Sequence, residues 1–311
     1  MCGVIGCVIG TKKRTPSEYE IIRNDFSTML VAAQSRGTDA AGLYVFNEGG
    51  ECFSYRAPMQ ASTLVTLSEY WAVLDRIGPT TIAVVGHTRA ATTGSPSVNS
   101  NNHPLKDGPL VGVHNGMIYN HRSLRAKYGT EAEVDSAVIL SLLNSRMVDG
   151  DYLNESHLVH SLKELEGSFA IAVADTRTNN IFLARNAGSP LVMASNSRKG
   201  LLWFGSTQAI IASGLGRPVS VSTLPVGAVM KLGRKDVTGA KPLHWTPFIQ
   251  RSVKRPLSPR EDSRRSSFTQ RRSSSRSGMA GFASNDDAYQ SWFFDEGAGT
   301  AAALRAAERG E

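Results

Sequence analysis

The sequence predicts an α+β fold in which helices sit among antiparallel strands. From residue 1 to about 245, short apolar runs rich in β-branched residues recur, each bounded by Gly, Asn or Pro. Asp-Thr-Arg-Thr-Asn-Asn at 175–180 separates two such runs as a hairpin turn does, which pairs them antiparallel. Three apolar stripes at helical spacing lie between runs, and they do not form the regular alternation of a parallel βαβ array.

Taken in order, the expected strands are residues 2–9, 82–86, 110–113, 169–174, 181–184, 191–194 and 201–204. The first helical stripe is Ile22, Phe26, Met29, Leu30 and Ala33, stopping before Gly37. Val138, Ile139, Leu142 and Leu143 make the second, and Leu158, Leu162 and Leu165 the third.

The chain has 311 residues, 41% of them hydrophobic and 20% charged, enough to bury a substantial core. No apolar run approaches the roughly 18–20 residues of a membrane span, so no membrane association is expected. The apolar start, Gly3 to Gly10, is too short for a signal peptide, and Lys12, Lys13 and Arg14 follow it instead of preceding it. Cys2, Cys7 and Cys52 offer neither a CxxC pair nor an even disulfide framework, which points to a cytoplasmic protein. The net charge of +7 is not spread evenly, because residues 251–278 hold nine basic side chains against Glu261 and Asp262. That segment also holds nine serines and almost nothing apolar, so it is expected to be a disordered tail. The organisation expected is therefore a folded domain at 1–245 and a tail at 246–311. Trp292-Phe293-Phe294 and the Ala-rich run behind it read either as a docking segment or as a loosely attached terminus.

Cys2 is the first residue with chemistry to offer. Removal of Met1 leaves a free α-amine beside the Cys2 thiol, and an α-amine with a reference pKa near 8 serves as a base at ordinary pH. One residue then supplies nucleophile and base. The plainer reading is a small core residue opening a strand. Further along, Gly86-His87-Thr88-Arg89 follows a strand and offers an arginine for a bidentate carboxylate contact. His114-Asn115-Gly116 offers a side-chain amide beside a glycine N–H, the donor pair an oxyanion hole needs. Asp135 stands just ahead of the second helix, suited to an N-terminus or to an ammonium ligand. Singly, each has a structural reading: His-Asn-Gly a hairpin turn, Arg89 a surface residue, Asp135 an N-cap.

In sequence order, CGVIG at 2–6, SRGTDAAG at 35–42, HTRAATTG at 87–94, NNHP at 101–104, HNGMIYN at 114–120 and EVDSAVI at 133–139 resemble the glutaminase domain of class-II glutamine amidotransferases. LEGSFA at 165–170 and RNAGSPL at 185–191 extend the likeness, which is strongest to the glutaminase half of glucosamine-6-phosphate synthase and covers about residues 2–230. The resemblance implies an Ntn-hydrolase fold, a four-layer αββα sandwich of two antiparallel sheets. It implies that Cys2 attacks the side-chain amide of L-glutamine while Asn115 and Gly116 hold the oxyanion. Arg89 would bind the substrate α-carboxylate, Asp135 its α-ammonium, Thr92 would line the pocket, and Arg36 would support the nucleophile. It implies no cofactor and no metal; His87, His103 and His114, at spacings that match no compact zinc motif, are assigned to hydrogen-bonding structure.

Where the synthase pattern has tryptophan after the arginine and histidine after the threonine, this chain has Ala90 and Thr93. Ala90 supplies no aromatic gate. The segment after 245 is too short for a second catalytic domain, so a stand-alone glutaminase feeding a separate ammonia-accepting synthase is expected. The basic tail 251–278 has three readings: a weak nucleic-acid contact, a phosphorylation-tunable linker, or a tether for a protein contact. Two other functions stay open at this level, an Ntn hydrolase acting on another small amide and a non-catalytic glutamine-binding scaffold.

Overall fold

Alternation along the first strand sets the architecture. In a computed structural model, which describes residues 1–249 except 131, 148–149 and 239–242, Ile5, Cys7 and Ile9 face one apolar cluster while Val4 and Val8 face another. A strand with two apolar faces must be covered on both sides, and this chain covers it with helices on one and a second sheet on the other.

The elements of the first half are β1 (Gly3–Ile9), α1 (Pro16–Ala33), β2 (Ala40–Asn47), β3 (Cys52–Ala57), α2 (Ala61–Leu64), α3 (Ser68–Leu74), β4 (Thr81–Arg89), β5 (Leu105–Asp107) and β6 (Leu110–Ile118). There follow α4 (His121–Tyr128), α5 (Ala137–Asn144), α6 (Glu155–Leu162), β7 (Gly167–Asp175), β8 (Ile181–Arg185), β9 (Val192–Asn196), β10 (Leu201–Gly205), α7 (Gln208–Leu215), β11 (Ser222–Thr223), β12 (Ala228–Leu232) and β13 (Thr246–Pro247). Among the described residues the strands form two antiparallel sheets, ordered β11-β9-β10-β1-β4-β2-β3 and β13-β12-β8-β7-β6-β5. Three apolar clusters separate four layers. One lies between α1, α2, α3, α7 and the first sheet, one between the sheets, and one between the second sheet and α4, α5 and α6. This is the α+β, Ntn-type αββα sandwich. No helix among the described residues is long and apolar enough to cross a membrane.

Helix α1 is specified locally. Thr15 caps it, accepting from the Glu18 N–H at 3.3 Å while Glu18 accepts from the Thr15 N–H at 2.8 Å, and Pro16 opens the first turn. Its stripe of Ile22, Phe26, Met29, Leu30 and Ala33 is buried against β1 and β4. The third stripe is cut short: α6 ends at Leu162, and Leu165 is buried in the segment beyond it.

Several strands run further than their apolar cores. β4 continues through His87, Thr88 and Arg89, and β6 continues through His114, Asn115 and Gly116, so His-Asn-Gly lies inside a strand and not in a hairpin turn. The 245 boundary is also short. Thr246 pairs with Val229, and the Phe248 ring stacks 6.0 Å from Phe169, because β12 would otherwise leave its edge and that ring face uncovered. The tail at 251–278 and the aromatic segment at 292–294 lie outside the described residues.

Helices α1 and α7 meet at Gly214, where a methyl group would overlap the Met29 side chain and come within 2.9 Å of the Asp25 carbonyl oxygen. Alanine gains about 1 kcal/mol of helix propensity over glycine, but overpacking a buried contact costs about 1–3 kcal/mol. Gly214→Ala is expected to lower the urea midpoint with an unchanged slope; a raised midpoint would show that the two helices part freely.

Candidate active site

Side-chain parity brings the candidate residues to one mouth between the sheets. On β4, Ala83 and Val85 point between the sheets, and Arg89 has their parity. Val111 and Val113 do the same on β6, which aims Asn115 inward as well. Val4 points between the sheets, and Cys2 shares its parity just before β1 begins. Gly3 pairs with Thr88, which sets Cys2 beside Arg89. Across the gap, the neutral His87 donates from Nε2 to the His114 carbonyl oxygen at 3.0 Å, tying β4 to β6 at this end.

Cys2 is half-buried, with its thiol directed at the Ala90 carbonyl oxygen at 3.6 Å. Burial pushes its pKa above the ordinary thiol value, and the Asp135 charge adds to that, against the lowering effects of the Ala90 hydrogen bond, the chain terminus and Arg89. The thiol is therefore protonated at neutral pH and becomes a nucleophile only with a base at hand. Arg36, in the turn after α1, donates from Nε to the Cys2 carbonyl oxygen at 2.8 Å. Met1 is 76% exposed.

Arg89 and Asp135 are each only 2% exposed, and neither makes an ion pair among the described residues. The Arg89 guanidinium donates to the Asn102 side-chain oxygen at 2.7 Å and to the carbonyls of Thr93 and Gly94 at 2.6 and 2.7 Å. Burial pulls its pKa down, while Cys2, Asp39 and Asp135 act in the other direction. Asp135 accepts from the Ile118 N–H at 2.7 Å and from the Thr93 hydroxyl at 3.0 Å. A buried cation and a buried anion, both held by neutral groups, are costly to keep and together could receive a ligand bearing both charges.

Asn115 is buried at 1% exposure, and its side-chain Nδ2 has no hydrogen-bond partner. Gly116 beside it has φ +147°, and a Cβ there would strike the Ser168 carbonyl and come within 2.8 Å of the His114 ring. Only glycine fits that conformation and that contact. An unspent amide donor next to a glycine backbone is a geometry that can receive an anionic oxygen.

Thr92 departs from the expected pocket: it is exposed and makes no side-chain hydrogen bond among the described residues. Thr93, the next residue, is the one that meets Asp135. Sequence reasoning also missed Asn102, which holds Arg89, although NNHP was marked as a motif. Of the histidines, His114 bonds through Nδ1 to the Ser136 hydroxyl at 2.7 Å and His87 bridges the sheets. His103 instead packs its ring 4.1 Å from that of His87, with neither ring nitrogen hydrogen-bonded. Burial pushes His87 down to about 3 and His103 well below the usual histidine range.

The three thiols should separate by alkylation. Burial raises Cys2, Cys52 to about 11 and the fully buried Cys7 well above the ordinary thiol value. In Met1-bearing protein, iodoacetamide followed by intact mass is expected to modify Cys2 first, with a rate still rising at pH 9. A rate that levels off below pH 8 would mean a thiol activated before Met1 is removed.

A family model described as a glutamine amidotransferase domain matches residues 87–213, the stretch that carries Arg89, Asn115, Gly116 and Asp135. Glutamine–fructose-6-phosphate aminotransferase (isomerizing) of Salmonella paratyphi A is 31% identical over 202 residues, covering 62% of this chain and 30% of that protein. The same-named protein of Haemophilus influenzae is 33% identical over 198 residues, again with 62% and 30% covered. The chain thus spans about 30% of the length of the curated relatives it matches. The solved glutamine phosphoribosylpyrophosphate amidotransferase of B. subtilis, in complex with ADP and GMP, superposes with a TM-score of 0.58 at 16% identity over 80% of this chain and 49% of that one, a likeness of fold. Residues 87–213 thus match a glutamine amidotransferase domain, and with relatives 31–33% identical and a shared two-sheet sandwich this chain is similar to the class-II glutamine amidotransferases.

Proposed function

We propose that the chain hydrolyses L-glutamine to glutamate and ammonia through a thioester on Cys2. The observation that carries this reading is the buried Asn115 amide, unpartnered and facing the same gap as Cys2 and Arg89. The zwitterionic head of glutamine matches the separated charges: Arg89 for the α-carboxylate, Asp135 for the α-ammonium. Thr92 joins only if the 90–94 turn closes inward.

After Met1 is removed, the Cys2 α-amine takes the thiol proton as Sγ bonds to the side-chain carbonyl carbon of glutamine. The negative charge that develops on the carbonyl oxygen is received by Asn115 Nδ2 and the Gly116 N–H. The α-ammonium returns a proton to the nitrogen, the C–N bond breaks, and ammonia leaves with the acyl group on sulfur. Water then adds to the thioester, releasing glutamate and restoring the thiol. Arg36, bonded to the Cys2 carbonyl, keeps the first residue in register with the donor pair. The ammonia is passed to an acceptor synthase, a reading supported by relatives named for aminating fructose-6-phosphate.

The test is glutamate and ammonia release by protein whose intact mass shows Met1 removed. Cys2→Ala is expected to abolish both products, and Asn115→Ala to lower kcat by about 10²–10³ with little change in KM. Arg89→Met is expected to raise KM for glutamine. Turnover at the wild-type rate in Cys2→Ala would overturn the proposal.

A further inference from the structure

A cleft of about 950 Å³ opens where β3 and β5, edge strands of the two sheets, come near the 99–100 turn and residues 128–130 and 132. It is the size of pockets that take small organic ligands. Arg56 from β3 and Lys106 from β5 line it, and neither makes an ion pair among the described residues. Arg56 spends one guanidinium nitrogen on the Pro104 carbonyl, and Lys106 is exposed. Asp107 is the acid of the described wall, and both its oxygens are taken up by α5, through the Ser141 hydroxyl and the Asn144 amide. Two unspent cations with the Ser100 and Thr130 hydroxyls around one space suit a group with several acceptor oxygens and more than one negative charge.

The same wall is wired to the candidate active site. Asn99 Nδ2 donates to the Arg56 carbonyl oxygen at 3.0 Å, and its Oδ1 accepts from Asn102 Nδ2 at 3.2 Å. Asn102 Oδ1 then accepts from the Arg89 guanidinium at 2.7 Å. Three hydrogen bonds therefore connect the strand that carries Arg56 to the buried cation between the sheets. On the opposite wall, Ala132 leads into Glu133, whose N–H is held by Asn101 Oδ1 at 2.9 Å, and from there to Asp135.

We propose that this cleft binds a phosphorylated small molecule, of sugar-phosphate to mononucleotide size, and that its occupancy is transmitted to Arg89 through Asn99 and Asn102. Binding stands on the cleft alone; the transmitted effect on glutamine rests on the function proposed above. A ligand that fixes the 99–102 turn pre-organises the group holding Arg89, so glutamine binds more tightly, and by linkage glutamine tightens the ligand equally.

Calorimetry on the full chain carrying Cys2→Ala reads both parts without turnover, using ribose 5-phosphate and AMP as probes and adenosine as the uncharged control. Both phosphorylated probes are expected to saturate and adenosine not to. Lys106→Glu, an exposed substitution that leaves the core intact, should weaken them by about tenfold. Saturating ribose 5-phosphate should tighten glutamine by about fivefold, and Asn99→Ala should remove that shift while the probe still binds. No saturation by either probe below about 5 mM, or equal affinity in Lys106→Glu, would overturn the site. An unmoved glutamine affinity at probe saturation would overturn the relay. Protein that binds the probes but not glutamine would retain the site and refute the glutaminase reading, along with the relay that rests on it.

Discussion

The hydrogen bond from His87 to the His114 carbonyl is the contact on which the geometry of the mouth depends. It ties a central strand of one sheet to the other sheet at the end where Cys2, Arg89 and Asn115 face each other. The bond is made by a neutral imidazole: burial holds His87 at about 3, and its Nδ1 has no partner. Protonation would add a buried donor with nothing to receive it, so the low pKa keeps the ring in the one state that fits. His103 stacks behind it, equally neutral and equally buried, and supplies packing without competing for the carbonyl.

Around that anchor the chain keeps unlike charges apart. In most proteins a buried arginine and a buried aspartate within electrostatic reach would close into an ion pair. Here Asn102 and two loop carbonyls occupy the guanidinium, while a backbone N–H and the Thr93 hydroxyl occupy the carboxylate. Neutral partners lower the cost of burial without cancelling either charge. What remains is a field with a positive and a negative pole beside a thiol, and Asn115 adds a donor that the folded chain leaves unused.

Much of this was legible in the sequence because strand parity and motif order are local properties. The seven expected strands all exist, and the residues at their ends carry the site. What escaped has physical causes. β2 is buried along its whole length, so it shows no alternation, and it opens on Ala40, Ala41 and Gly42, which have weak β propensity. β4 and β6 were cut short because His87–Arg89 and His114–Gly116 are polar, yet they continue the ladders between the sheets. Thr92 and Thr93 are indistinguishable by composition, and only the direction of the turn selects Thr93. Asn102 stands in a motif with no chemistry of its own; its importance is that it holds Arg89, thirteen residues before it, which no periodicity reveals.

Loop position and ligand binding at this mouth draw on the same atoms. The 90–94 turn is fastened by Arg89 through the Thr93 and Gly94 carbonyls and by Asp135 through the Thr93 hydroxyl, with Asp39 accepting from the Ala91 N–H at 2.7 Å. A ligand carboxylate reaching Arg89 would bind beside those carbonyls, and a ligand ammonium reaching Asp135 would bind beside that hydroxyl. On the proposed reading, a zwitterion would meet the turn at these atoms, a contact that needs no aromatic side chain. With alanine at position 90, Thr93 is the turn residue whose hydroxyl and carbonyl contact the two charged groups at once.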